Sequence, residues 1–120
     1  MLLRIDERQA KGVTVLTVSG RITMLDTTGQ LKERVSTLVK NGERNIVLSL
    51  GQLTFVDSSC IGEIVSCSLT VARAGGTLKL ANPARRVQEL LLVTRLGDIF
   101  ETFETDAAAI ASFPAPHSDS

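Results

Sequence analysis

Apolar periodicity switches back and forth along this chain between the two-residue repeat of a strand and the helical repeat of about 3.6 residues. Val13, Val15, Leu16 and Val18 alternate with Thr14, Thr17 and Ser19, which predicts a half-buried strand over residues 12–19, ended by Gly20. Residues 2–7 read as a strand before it, and Ala10-Lys11-Gly12 supplies the turn of a hairpin. Leu31, Val35, Leu38 and Val39 then follow at helical spacing. The predicted start of that helix is residues 26–30, where Thr27-Thr28-Gly29-Gln30 fits a capping box, and Asn41-Gly42 is its left-handed stop. The exchange recurs. Residues 45–50 form a short apolar strand, Ile61, Ile64, Val65 and Leu69 mark the inner face of a second helix, and Gly75-Gly76 ends it. Residues 77–81 predict another strand, with Asn82 as N-cap and Pro83 as first residue of a third helix that carries Val87, Leu90, Leu91 and Leu92 and closes at Gly97. Residues 99–103 suggest an edge strand and 106–112 a short last helix. The order ββαβαβα followed by a weaker βα predicts one α/β domain over residues 1–113 with a largely parallel sheet. Residues 114–120 carry no packing signal and are read as a disordered tail.

The chain has 120 residues, enough for one aliphatic core, since it holds four Phe and no Trp or Tyr. Thirteen basic residues balance thirteen acidic ones, which argues against a nucleic-acid binder, because such proteins draw affinity from a basic surplus. Arg85-Arg86 is the one basic pair, read as a solvated face, with docking of an acidic partner as the competing reading. Met1-Leu2-Leu3-Arg4-Ile5-Asp6 brings charge in at once, unlike a secretory signal, and no apolar run approaches bilayer length. A cytoplasmic location without membrane insertion is therefore expected. Cys60 and Cys67 lie on one face of a predicted helix about two turns apart, too far for a disulfide, and are expected to be small buried side chains. A metal site is disfavoured because the single histidine, His117, sits in the tail. No cofactor is expected.

Chemistry concentrates in Phe55-Val56-Asp57-Ser58-Ser59-Cys60-Ile61-Gly62, where a loop meets a helix N-terminus. Such termini present unpaired backbone N–H groups and the positive end of the helix dipole. Simple capping accounts for one Asp or Ser here. It does not account for three polar residues in a row, nor for the slim first turns made by Gly62 and Ser66. A slim polar helix start admits another protein, and a serine in it can carry a phosphate without breaking the fold.

This stretch resembles the Asp-Ser-Ser-Gly-Leu-Gly segment of bacterial anti-sigma factor antagonists, members of the STAS family. Two further stretches agree: Val18-Ser19-Gly20-Arg21-Ile22, and Leu78-Lys79-Leu80-Ala81-Asn82-Pro83 with Leu91, Leu96-Gly97 and Ile99-Phe100. The similarity runs from about residue 3 to residue 112. It implies a single-layer mixed, largely parallel sheet with an N-terminal hairpin and helices mainly on one face. It also implies a function. In that family an anti-sigma factor, itself a serine kinase of the histidine-kinase-type ATPase fold, binds the unmodified antagonist. It then phosphorylates the serine after the Asp, which breaks the complex, and a serine phosphatase resets the system. The phosphoacceptor would be Ser58, with Ser59 as the alternative. The partner-binding set would be Arg21, Thr23, Met24, Asp26, Asp57, Ser58, Ser59, Cys60, Ile61 and Glu63.

Two positions depart from the family pattern: Thr23 stands where a carboxylate is common, and Cys60 replaces the first glycine after the serines. The competing function is a cytosolic STAS subunit of a lipid-trafficking ABC transporter, a binding module that is never phosphorylated. An enzyme is not expected. There is no Gly-x-Ser-x-Gly elbow with a histidine partner, no P-loop and no dinucleotide fingerprint.

Overall fold

The computed structural model describes residues 3–24 and 29–114. Strands β1 (Leu3–Ala10) and β2 (Val13–Ile22) form an antiparallel hairpin, closed by Lys11 and Gly12, both at positive φ (54° and 79°). After helix α1 (Gln30–Lys40), strand β3 (Asn45–Val56) enters parallel to β2. Helix α2 (Ser58–Arg73), strand β4 (Thr77–Ala81), helix α3 (Arg85–Thr94), the short strand β5 (Thr102–Phe103) and helix α4 (Asp106–Ala111) follow. The sheet order is β1-β2-β3-β4-β5, antiparallel only at the hairpin.

Strand alternation gives the sheet two apolar faces of unequal size. Leu16, Val18, Ile46, Leu48 and Leu80 point to one side and pack with Leu31 and Val35 of α1, Ile61, Ile64, Cys67 and Val71 of α2, and Val87 and Leu91 of α3. Val13, Val15, Val47 and Ala81 point to the other side, where Ala109 of α4 and Phe113 cover them. Lys79 is also buried there. Its ammonium donates to Ser112 Oγ at 2.8 Å and lies 4.4 Å from the centroid of the Phe113 ring. Three helices on one face and one short helix on the other agree with the expectation of helices mainly on one face.

Several boundaries differ from the sequence expectation. β2 runs past Gly20 to Ile22, and β3 past Leu50 to Val56, because the two strands go on pairing through Ser19↔Gln52 and Ile22↔Val56. Register shifts along this stretch keep Leu53 and Val56 turned into the core. A Cβ at Gly51 would strike the side chain and carbonyl of Asn82, so only glycine lets the chain leaving β4 cross β3 so closely. Asn82 is not a helix cap: it lies at φ 47° and donates its N–H to Phe103 O at 2.8 Å, and α3 begins three residues later behind Ala84. Arg95 at φ 58°, not Gly97, ends α3. Ile99 belongs to a 3-10 turn (Gly97–Ile99), so the predicted edge strand shrinks to two residues. Leu69 and Leu92 are 49% and 80% exposed. Each falls on the solvent side of its helix, because the inner stripes follow Cys60, Ile61, Ile64, Cys67, Val71 and Val87, Leu90, Leu91. Thr27 and Thr28 of the capping box, and residues 115–120 of the tail, lie outside the described residues.

Candidate functional site

The C-terminal end of β3 delivers Asp57 in an extended conformation (φ −120°, ψ −173°), the geometry of an N-cap. Its Oδ1 accepts the Ser59 N–H at 2.9 Å and the Ser59 hydroxyl, so one orphan donor of α2 is satisfied. Its Oδ2 accepts the Met24 N–H at 3.1 Å, while the Asp57 N–H donates to Ile22 O at 3.3 Å. The cap therefore also fastens the segment leaving β2 to the start of α2. The Ser59 hydroxyl, the Met24 N–H and the Ser59 N–H hold the Asp57 carboxyl below its ordinary range and outweigh the opposing effect of burial.

The two serines that the sequence leaves open differ in their surroundings. Ser59 is half-buried and its hydroxyl donates to Asp57. Ser58, the first residue of α2, is exposed, and its hydroxyl has no hydrogen-bond partner among the described residues.

The expected docking residues divide into an outer and an inner group. Arg21 and Met24 are exposed beside Ser58's end of the sheet, Met24 at 71%. Thr23 is buried, and Asp26 lies outside the described residues. Cys60 and Ile61, expected among the partner-binding residues, belong to the core, since the helix turns both toward the sheet. Burial, followed by the nearby Glu63 and Asp57 carboxylates, pushes the Cys60 thiol up to about 12. Glu63, expected in the same set, is buried as well. It is 4% exposed, and its carboxylate accepts the N–H groups of Gly29, Leu31 and Lys32 at 2.9, 2.8 and 3.1 Å. It caps α1 from the neighbouring helix, because the N-cap residue Gly29, at φ 94°, has no side chain to do so.

Phe55 was not singled out from the sequence. It is 57% exposed two residues before Asp57, with the Arg21 guanidinium 5.3 Å from its ring centroid. The period-two pattern alone reveals it: Phe55 pairs with Arg21, on the sheet face opposite Ile22 and Val56. Arg85 and Arg86 lie within 3.7 and 3.5 Å of Glu89 along α3, as a solvated helix face would. Among the described residues, no helix is long and apolar enough to cross a membrane.

A sheet with an N-terminal hairpin, helices mainly on one face and an Asp-capped helix start at the β3–α2 junction define the class of domain. The chain belongs to the STAS domain family, whose model matches residues 4–109. It is 31% identical over 72 residues to a Thermotoga neapolitana homologue of the anti-sigma factor antagonist TM1081, a match that spans 60% of this chain and 64% of that protein's length. It is 27% identical over 101 residues to the anti-sigma-B factor antagonist of Bacillus subtilis, covering 84% of this chain and 91% of the relative. The fold matches the Bacillus anti-sigma factor antagonist SpoIIAA in two states. The unphosphorylated form gives a TM-score of 0.74 at 21% identity, covering 89% of this chain and 93% of that one. The phosphorylated form gives 0.69 at 20% identity, covering 90% and 97%.

Proposed function

We propose that this protein is an anti-sigma factor antagonist that works by partner switching in the cytoplasm. Unmodified, it binds an anti-sigma factor that is also a serine kinase of the histidine-kinase-type ATPase fold. The kinase transfers the γ-phosphoryl group of ATP to Ser58 Oγ: the O–H bond breaks, an O–P bond forms, the proton passes to a base on the kinase and ADP leaves. The modified chain dissociates, and a serine phosphatase restores the hydroxyl by hydrolysis. On this reading the chain is a substrate and a ligand, and the catalytic groups belong to its partners.

The observation that supports the reading best is the exposed, unpartnered Ser58 hydroxyl on a helix start that Asp57 has already capped. Because the cap is Asp57, a phosphate on Ser58 replaces no hydrogen bond needed by the fold. The phosphate brings a charge of about −1.5 to −2, tolerable at an open helix N-terminus and costly when trapped against a partner. SpoIIAA, whose fold this chain shares, is a protein solved in a phosphorylated form.

The test is mass-spectrometric mapping of the phosphosite after incubation with the copurified kinase and ATP, beside binding by Ser58→Ala and Ser58→Asp. Phosphate on Ser58, retention by Ser58→Ala and release by Ser58→Asp are expected. Phosphate on another residue, or equal binding by Ser58→Asp and the parent, contradicts the reading.

A further inference from the structure

Three large apolar side chains stand in solvent close together at the end of α3 and in the turn after it: Leu92 at 80% exposure, Val93 at 79% and Ile99 at 63%. None of them belongs to either core cluster. Beside Leu92 a cleft of about 460 Å³ opens between α3 and β5, with Leu91, Leu92, Gly97 and Phe103 among its walls. The charges around this patch follow an order of their own. Counting outward from Leu92, Glu89 stands three residues before it and Arg95 three after, and Arg86 stands six before and Asp98 six after. All four are exposed. Each position on one side of Leu92 therefore carries the opposite sign to its counterpart on the other. Among the described residues neither Arg95 nor Asp98 has an ion-pair partner. Glu89 meets only Arg85 and Arg86 one turn back, and such exposed pairs hold weakly enough to be shared.

We propose that the patch is covered by a second copy of this chain, in a symmetric dimer that sets the two α3 helices antiparallel about a two-fold axis at Leu92. A chain whose charges change sign about one point is complementary to itself when turned about that point. Glu89 of each copy meets Arg95 of the other, and Arg86 meets Asp98, so symmetry makes each attraction twice. Ile99, seven residues after Leu92, comes against the hydrocarbon stem of Arg85, seven before it. Leu92 and Val93 of the two copies leave water together at the centre, where the apolar walls of the cleft extend the contact. The interface is small, so the dimer is weak and forms in the micromolar range of concentration or above. It does not depend on the switch. β3 and β4 run parallel, and α3 leaves the end of the sheet where Ser58 stands and returns toward the opposite end, so both copies keep Ser58 uncovered.

The test is sedimentation equilibrium of the full, unmodified chain from low micromolar to near-millimolar concentration. It compares the parent with Leu92→Asp, Arg86→Glu, Asp98→Lys and the double variant Arg86→Glu/Asp98→Lys, with a melting curve of each taken at the lowest concentration. The parent is expected to show a monomer–dimer equilibrium. Leu92→Asp sets two carboxylates face to face on the axis and is expected to weaken the dimer about tenfold or more, with Tm unchanged because the side chain is exposed. Each single charge reversal is expected to weaken it about threefold or more. The double variant is expected to recover the parent's dissociation constant, a rescue that damage to the fold would not give. A parent that stays monomeric throughout overturns the proposal, whether or not the patch then takes up a different protein. A dimer that Leu92→Asp leaves unmoved overturns it as well, since its contact lies elsewhere. Weakening by Leu92→Asp without any response to the charge reversals overturns the antiparallel pairing.

Discussion

At Asp57 one carboxylate serves two segments of chain: Oδ1 caps α2 through Ser59, and Oδ2 holds the Met24 N–H at the exit of β2. Asp57→Ala removes both, and a loss of about 1–2 kcal/mol of stability, measured by denaturant unfolding, is expected from the cap. Asp57→Asn isolates the charge, because Asn also caps. The folded carboxyl titrates below its ordinary value of 3.8, so as pH falls the unfolded chain takes up the proton first. The stabilisation is therefore complete above pH 3.8 and fades as the pH drops through the lowered folded-state value. The stability gap between the parent and Asp57→Asn is expected to narrow below pH 3.8, and a gap that widens there contradicts this charge assignment. The Asp57-Ser58-Ser59 triplet is legible in the sequence as a polar helix start. Which serine stays accessible is not, because that depends on Ser59 turning its hydroxyl back onto the cap.

Between elements, the link from α2 to α1 runs through Glu63, whose carboxylate accepts from Gly29, Leu31 and Lys32. Removing it leaves three helix-end donors without their carboxylate, of which the Leu31 N–H is buried. Glu63→Ala is expected to cost about 3 kcal/mol, with faster amide exchange confined first to the start of α1. Unchanged protection at Leu31 and Lys32 would show that water replaces the carboxylate. Gly62→Ala acts in the opposite direction: without crowding, the folded chain is expected to gain about 0.5–1 kcal/mol, read as a rise in Tm. Helix phases and strand order follow from periodicity, which is why the layout over α1, α2 and β4 is legible in the sequence. The cap from Glu63 is not, since it joins residues more than thirty positions apart on different helices. A capping box at Thr27-Thr28-Gly29-Gln30 is the local solution that the sequence offers, whereas the N–H groups at Gly29, Leu31 and Lys32 find a distant acceptor. The start of α3 was missed for a related reason: Asn82 serves the sheet, donating to Phe103 O, before the chain can turn into a helix.

For the molecule as a whole, on the proposed reading, the division of the sheet into two faces keeps stability apart from exchange of partners. The second face is closed by α4 through Ala109 and Phe113, with Lys79 held between the Phe113 ring and Ser112, and with Ser49 donating to Asp106 Oδ1 at 2.6 Å. Phe113→Ala is expected to cost about 3 kcal/mol in unfolding experiments while leaving partner affinity unchanged, because α4 meets the sheet on the face away from α1 and α2. A fall in affinity with no loss of stability would place the docking surface on α4 instead. On the proposed reading the switch is a property of the complex: an added phosphate would alter who can dock and would leave the capped helix start intact. It is tested most directly by calorimetric titration of the copurified anti-sigma factor kinase with unmodified chain and with chain phosphorylated at Ser58. Binding of the unmodified form, a drop of about tenfold or more on phosphorylation (about 1.4 kcal/mol) and matching melting curves for the two forms are expected. Equal affinity of the two forms, or a phosphorylated chain that has lost its fold, would contradict it.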